Sequence, residues 1–165
     1  MNELLRLASL ERGASNSNEG FVVDVIARTS ESSALVLDRV REVLKVVLSN
    51  DLSQSLEAWK SLLPSWFVSV CADEITQEEA ERRRNLPMSE REHLAQQWTL
   101  SAWLYWFKPE ERFWKWWDAA CPDNRSIIVR ILVTGYPFPS GSLEWLLRAA
   151  GATDVLVNES ALSLS

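Results

Sequence analysis

The run Ile127-Ile128-Val129-Arg130-Ile131-Leu132-Val133 constrains the fold more than any other stretch of this chain. Arg130 is its only polar residue. Consecutive apolar residues on a strand put apolar groups on both faces, so the strand must be covered above and below. Parallel sheets bury strands in this way, and the run predicts a central strand over 127–134. Three further strands are predicted. Phe21 to Ile26 is apolar and β-branched except for Asp24, giving 21–27. Trp66, Val68 and Val70 alternate with Phe67, Ser69 and Cys71, giving 66–72. The last is short, at 154–157.

Helical patterns lie between these strands. From Glu31 to Ser49 the apolar positions Val36, Val40, Val43 and Val47 recur with the helical period. Asp51 with Gln54, Thr76 with Glu79, and Ser89 with Glu92 each read as a capping box opening a helix, the third running to Phe107. Pro109 fits a first helical position, predicting a helix to Ala120 with Phe113, Trp114, Trp117 and Ala120 on one face and Trp116 on another. Leu143 to Ala150 forms another, closed by Gly151. Every gap between strands thus holds a helix and is long enough for a parallel crossover. The expected fold is α/β, a small, mostly parallel four-strand sheet flanked by helices. The alternative is α+β, with a helical subcluster at 76–120. One domain over 1–165 is expected, with a short N-terminal helix, a flexible connector at 13–20 and a frayed tail at 158–165.

Charge narrows the function classes. Seventeen Lys and Arg against 23 Asp and Glu give a net charge of −6, and residues 1–60 and 61–165 are both mildly acidic. Nucleic-acid binding and adsorption to anionic membranes both want a basic surface, so neither is expected. No apolar run approaches the ~20 residues of a membrane span, and the N-terminus lacks the basic region of a signal peptide. Cys71 and Cys121 stand apart without a CxxC, so two reduced, buried thiols in the cytoplasm are expected.

The single histidine, His93, leaves no pair for a His-based metal site or a Ser-His-Asp relay, and no cofactor or metal is expected. Two segments could carry ligand chemistry. Asp73 and Glu74 come directly after the predicted 66–72 strand and form a carboxylate pair suited to acid–base work. Gly135, Tyr136, Ser140, Gly141 and Ser142 lie in a strand–loop–helix turn, where helix N–H groups could hold an anion. Arg82-Arg83-Arg84 comes after Glu78, Glu79 and Glu81, and i,i+4 pairs such as Glu78–Arg82 and Glu79–Arg83 make it a self-paired solvated face.

Tryptophan is the abnormal component. Nine of 165 residues are Trp, six of them between Trp98 and Trp117. Each indole covers ~150–250 Å² when buried, and Trp is rarely buried completely. The surplus indoles Trp106, Trp114 and Trp116 are therefore expected at a partner-binding surface, Trp116 the most exposed. The preferred reading leans away from an enzyme, towards an acidic protein–protein interaction module of antidote or adaptor type, whose charge favours a basic protein partner. The alternative is a small α/β enzyme or ligand-binding domain working at the 135–142 turn with Asp73 and Glu74.

Overall fold

The computed structural model describes residues 2–9, 20–95 and 98–158, and places in them four strands: β1 (Phe21–Thr29), β2 (Trp114–Asp123), β3 (Ser126–Val133) and β4 (Ala152–Asn158). They form one sheet in the order β2-β3-β1-β4, with every neighbouring pair antiparallel. The mostly parallel sheet expected from the sequence is thereby corrected to an antiparallel one in an α+β arrangement.

Two segments cause the difference. Residues 65–70 form a short helix, α4 (Ser65–Val70), instead of the 66–72 strand. Pro64 opens it, its carbonyl accepting from Phe67 N and Val68 N, and only Phe67 is fully buried. Six residues are too few to separate period 2 from period 3.6. Conversely, the helix over 109–120 stops at α8 (Pro109–Arg112), and Phe113 reverses the chain with φ +52°. The chain then enters β2, which pairs with β3 through the Asn124-Arg125 turn. Asp123 Oδ1 accepts from Arg125 N at 2.8 Å, and a turn this tight leaves only antiparallel pairing.

A bulge explains why β2 resembles a helix. The β2–β3 register shifts between Trp116 and Asp118. One extra residue breaks the alternation, so Trp114 and Trp117 stand at helical spacing within a strand. Trp116 is consequently not the exposed indole: it is 1% accessible, against 8% for Trp117.

β3 lies between β2 and β1, and its two-sided apolar run is covered unequally. Ile127, Val129, Ile131 and Val133 point into the main core beneath α2 (Ser33–Ser49) and α9 (Gly141–Ala150). On the other face a polar row crosses the sheet in register: Asp118 opposite Arg130, Arg130 opposite Asp24, Asp24 opposite Asn158. Arg130 Nε donates to Asp118 Oδ1 at 2.6 Å and Nη2 donates to Oδ2, with both side chains nearly buried.

β3 and β4 run in the same direction with β1 between them and α9 as their connection, a split β-α-β unit. The whole order β1-α2-…-β2-β3-α9-β4 matches the plan of ferredoxin-like sheets, with a helical insertion between α2 and β2. That insertion holds α3 (Leu56–Leu62), α4, α5 (Gln77–Arg84), α6 (Met88–Ala95), α7 (Leu100–Tyr105) and α8. The helix expected from Ser89 to Phe107 is thus divided into α6 and α7. Gly151 closes α9 at φ +133°, and a Cβ there would lie 2.8 Å from Glu31 and 2.9 Å from Val36, so both conformation and space require glycine. Of the 13–20 connector and the 158–165 tail, residues 13–19 and 159–165 lie outside the described residues.

The remaining helix, α1 (Glu3–Ala8), guards the free edge of β2. Trp116 N, which points away from β3, donates to Glu3 Oε2 at 2.7 Å, and Arg112 grips the same carboxylate at 3.1 and 2.7 Å. Arg6 stacks 3.4 Å above the Trp117 ring, and Leu7 enters the core.

Candidate functional site

The three indoles expected at a partner surface divide. Trp114 and Trp116 are core residues, each 1% accessible, because the strand and its bulge turn both inward. Trp106 is half-buried beside exposed Tyr105, edge to face at 5.2 Å. Tyr105 donates to Glu111 at 3.2 Å, which together with that carboxylate's charge raises the phenol's pKa, while the Lys108 ammonium sits 4.7 Å over its ring.

The 135–142 turn is occupied by structural work. A Cβ on Gly135 would come within 2.6 Å of the Phe113 ring, so this glycine makes room for the residue that ends α8. Tyr136 is exposed and lies 6.3 Å from Phe138. Ser140 does not cap the N–H groups of α9 with its side chain; its hydroxyl donates to Glu144 Oε2 at 2.9 Å. That carboxylate, in the first turn of α9, repels an anion approaching the helix start. Ser142 is buried, and its carbonyl accepts from Trp103 Nε1 at 3.0 Å. Gly141 borders a separate cleft between α4 and α9.

Asp73 and Glu74 are not at the end of a strand. Asp73 is exposed, and Glu74 holds the start of α7, accepting from Ser101 N at 3.0 Å and Ser101 Oγ at 2.6 Å. A shallow cleft of about 500 Å³ includes Glu74, Ile75, Arg83 and Arg91 but no residue of 135–142. The two ligand candidates are therefore not brought together in one site. The arginine run is self-paired through one acid: Glu79 binds Arg82 at 2.7 Å and Arg83 at 3.0 Å, and these bonds hold its carboxyl down at about 2. His93 is exposed beside Arg82 and Glu90. Among the described residues no three His, Cys, Asp or Glu side chains gather, and no helix is long and apolar enough to cross a membrane.

The aromatic surface lies at the α4–α9 cleft. It has a volume of about 700 Å³ and is lined by Val70, Trp98, Gly141, Glu144, Trp145, Arg148 and Ala149. Trp98 and Trp145 are both half-buried and stack at 6.3 Å with 28° between their planes. Val70 is 47% accessible on the opposite rim. Local sequence explains the placement. Leu143, Leu146, Leu147 and Ala150 take the core face of α9, which leaves Trp145 on its flank and Glu144 and Arg148 outward. Trp98 is fixed by its backbone, its carbonyl accepting from Ala72 N at 2.8 Å.

A continuous chain of rings supports the pair from below. Trp145 meets Phe67 at 5.6 Å, Phe67 meets Trp103 at 4.7 Å, Trp103 meets Phe107 at 4.6 Å, and Phe107 meets Trp114 at 6.0 Å. Edge-on and tilted contacts of this kind favour fixed ring orientations. The cleft floor is thus anchored to the core.

Cys71, beside the cleft's α4 wall, is free and half-buried, and its Sγ donates to Phe67 O at 3.4 Å. Burial and, secondarily, the Glu74 charge push its thiol up to about 11. Its alkylation at pH 8 is expected to run about 100-fold slower than that of an unhindered cysteine, since only the thiolate reacts. Iodoacetamide labelling with peptide mass spectrometry checks this; a rate equal to that of a free thiol would contradict the burial. Comparison of the chain with protein-family models, with curated proteins and with solved structures finds no match.

Proposed function

We propose that this chain is a non-catalytic protein-interaction module whose docking site is the Trp98–Trp145 cleft. The observation that carries the reading is the stacked, partly buried indole pair on an aromatic floor joined to the core. Rigid indoles offer large contact area at little cost in side-chain entropy, and Trp and Arg dominate interface hot spots. The partner is a segment of another protein that seats an apolar anchor between Val70 and Trp145. The net charge of −6 favours basic residues around that anchor.

Selection of a displayed random peptide library on the protein tests this. Selected peptides are expected to carry an apolar anchor with flanking Lys or Arg, and Trp98→Ala should weaken them about 30-fold, equivalent to ~2 kcal/mol. Val70→Glu, at an exposed rim position, should block the cleft without disturbing the core. Peptides that bind Val70→Glu and Trp98→Ala as tightly as the natural chain would overturn the assignment.

A further inference from the structure

The two edges of the sheet are treated differently. The β2 edge is closed by the Glu3 carboxylate on Trp116 N, by Pro122, and by register shifts on either side of Asp118–Ala120. These are the devices by which sheets avoid edge pairing. Among the described residues, β4 from Asp154 to Val157 carries one charge, Asp154, and no Lys, no Pro and no register shift. Leu156 within it is 64% accessible.

Hydrogen-bond direction shows what this edge offers. Thr29 N donates to Arg125 O, away from β4, whereas Arg28 O points towards β4 and accepts from Thr153 Oγ1 at 3.3 Å. Alternation along β1 then directs the backbone groups of Asp24, Ile26 and Arg28 to β4, and those of their partners Asn158, Leu156 and Asp154 back to β1. Val155 and Val157 consequently turn their N–H and C=O outward. The Thr153 carbonyl, at the register shift, is already taken by Arg148 Nη1 at 3.0 Å.

From these groups we propose that β4 pairs with β4 of a second copy of this chain, antiparallel about a two-fold axis at Leu156, making one continuous eight-stranded sheet. In that register Val155 of each copy exchanges both backbone bonds with Val157 of the other, and the Arg148 contact is left intact. Leu156 faces its own counterpart as a non-hydrogen-bonded pair, with Cβ atoms about 4.5–5.5 Å apart, so the exposed leucines cover each other. Asp154 falls opposite Asn158, so no like charges meet. A register centred on Val155 would instead set Asp154 against Leu156 and require the Thr153 carbonyl that Arg148 holds. The donors and acceptors of Val155 and Val157, which match those of an identical strand, together with the self-facing Leu156, select the second copy as occupant.

Oxidative cross-linking of the full chain tests the register directly. Leu156→Cys is expected to give a covalent dimer absent from the natural chain and from Thr153→Cys under the same conditions. In sedimentation, Leu156→Glu, which sets two carboxylates face to face at an exposed position, should weaken self-association at least 10-fold with an unchanged circular dichroism spectrum. A natural chain that stays monomeric up to about 100 μM would overturn the proposal. A dimer that Leu156→Glu leaves intact would overturn it too, placing the contact elsewhere. Neither outcome depends on the Trp98–Trp145 cleft.

Discussion

Trp116→Ala is expected to destabilise the protein by about 3–5 kcal/mol, the range for removing a buried aromatic side chain. For a domain of this length that lowers Tm by about 6–20 °C. The indole is 1% accessible and belongs to the main core, where packed neighbours close only part of the space it leaves. Its Nε1 is buried with no acceptor among the described residues. Trp116→Phe keeps most of the ring and removes that unpaired donor, so its cost should be under half that of the alanine variant. Thermal melts of both variants give the comparison. An alanine variant that melts within about 2 °C of the natural chain would mean that the β2 bulge does not turn Trp116 inward.

The second large effect is expected at the polar row. Asp118→Ala leaves Arg130 buried, with half-buried Asp24 as the nearest carboxylate of the row on the adjoining strand. Removing one partner of a buried pair commonly costs about 3–5 kcal/mol, because the remaining buried charge loses its closest counter-charge without regaining water. Replacing both residues together, as Asp118→Leu with Arg130→Met, should recover most of that loss, since desolvation of the two ions offsets much of their attraction. Urea denaturation of the single and double variants measures the coupling. A single variant that loses less than about 1 kcal/mol would show that the row is solvated instead of buried.

The sequence makes strands legible where apolar, largely β-branched residues are broken by only a few polar ones, as at 21–29 and 126–133, and helices where amphipathic periodicity lasts several turns, as at 33–49. Failure comes at short or irregular elements. Ser65–Val70 alternates like a strand, but Pro64 supplies the carbonyl that starts a helical turn. Trp114–Asp123 imitates a helix because its bulge moves Trp117 out of alternation, and its true partner, β3, is adjacent in sequence across a two-residue turn. That hairpin decides the sheet. Once β3 pairs with both β2 and β1, the two helical connections, β1–β2 and β3–β4, still join strands of like direction, but each passes over one antiparallel neighbour, so no parallel pair forms.

The site is hidden in the sequence for a related reason. Six Trp between Trp98 and Trp117 draw attention to one segment, but Trp103, Trp114, Trp116 and Trp117 fill the interior. The cleft instead pairs Trp98 with Trp145, which are 47 positions apart and share no local pattern. One signal is available: the apolar positions of α9 already complete its core face without Trp145, so that indole must lie off it. Nothing local tells that Trp98 meets it. Asp73 and Glu74 owe their candidacy to a strand that does not form, and Glu74 serves as an anchor for α7.

Indole ¹⁵N–¹H spectroscopy tests the central claim most directly, because each of the nine Trp gives one side-chain signal. During titration with a selected peptide, the Trp98 and Trp145 signals should shift with the same saturation curve, while those of Trp59, Trp114 and Trp116 stay in place. Shifts confined to Trp106, or spread over the core indoles with Trp98 and Trp145 unmoved, would contradict the cleft as the docking site.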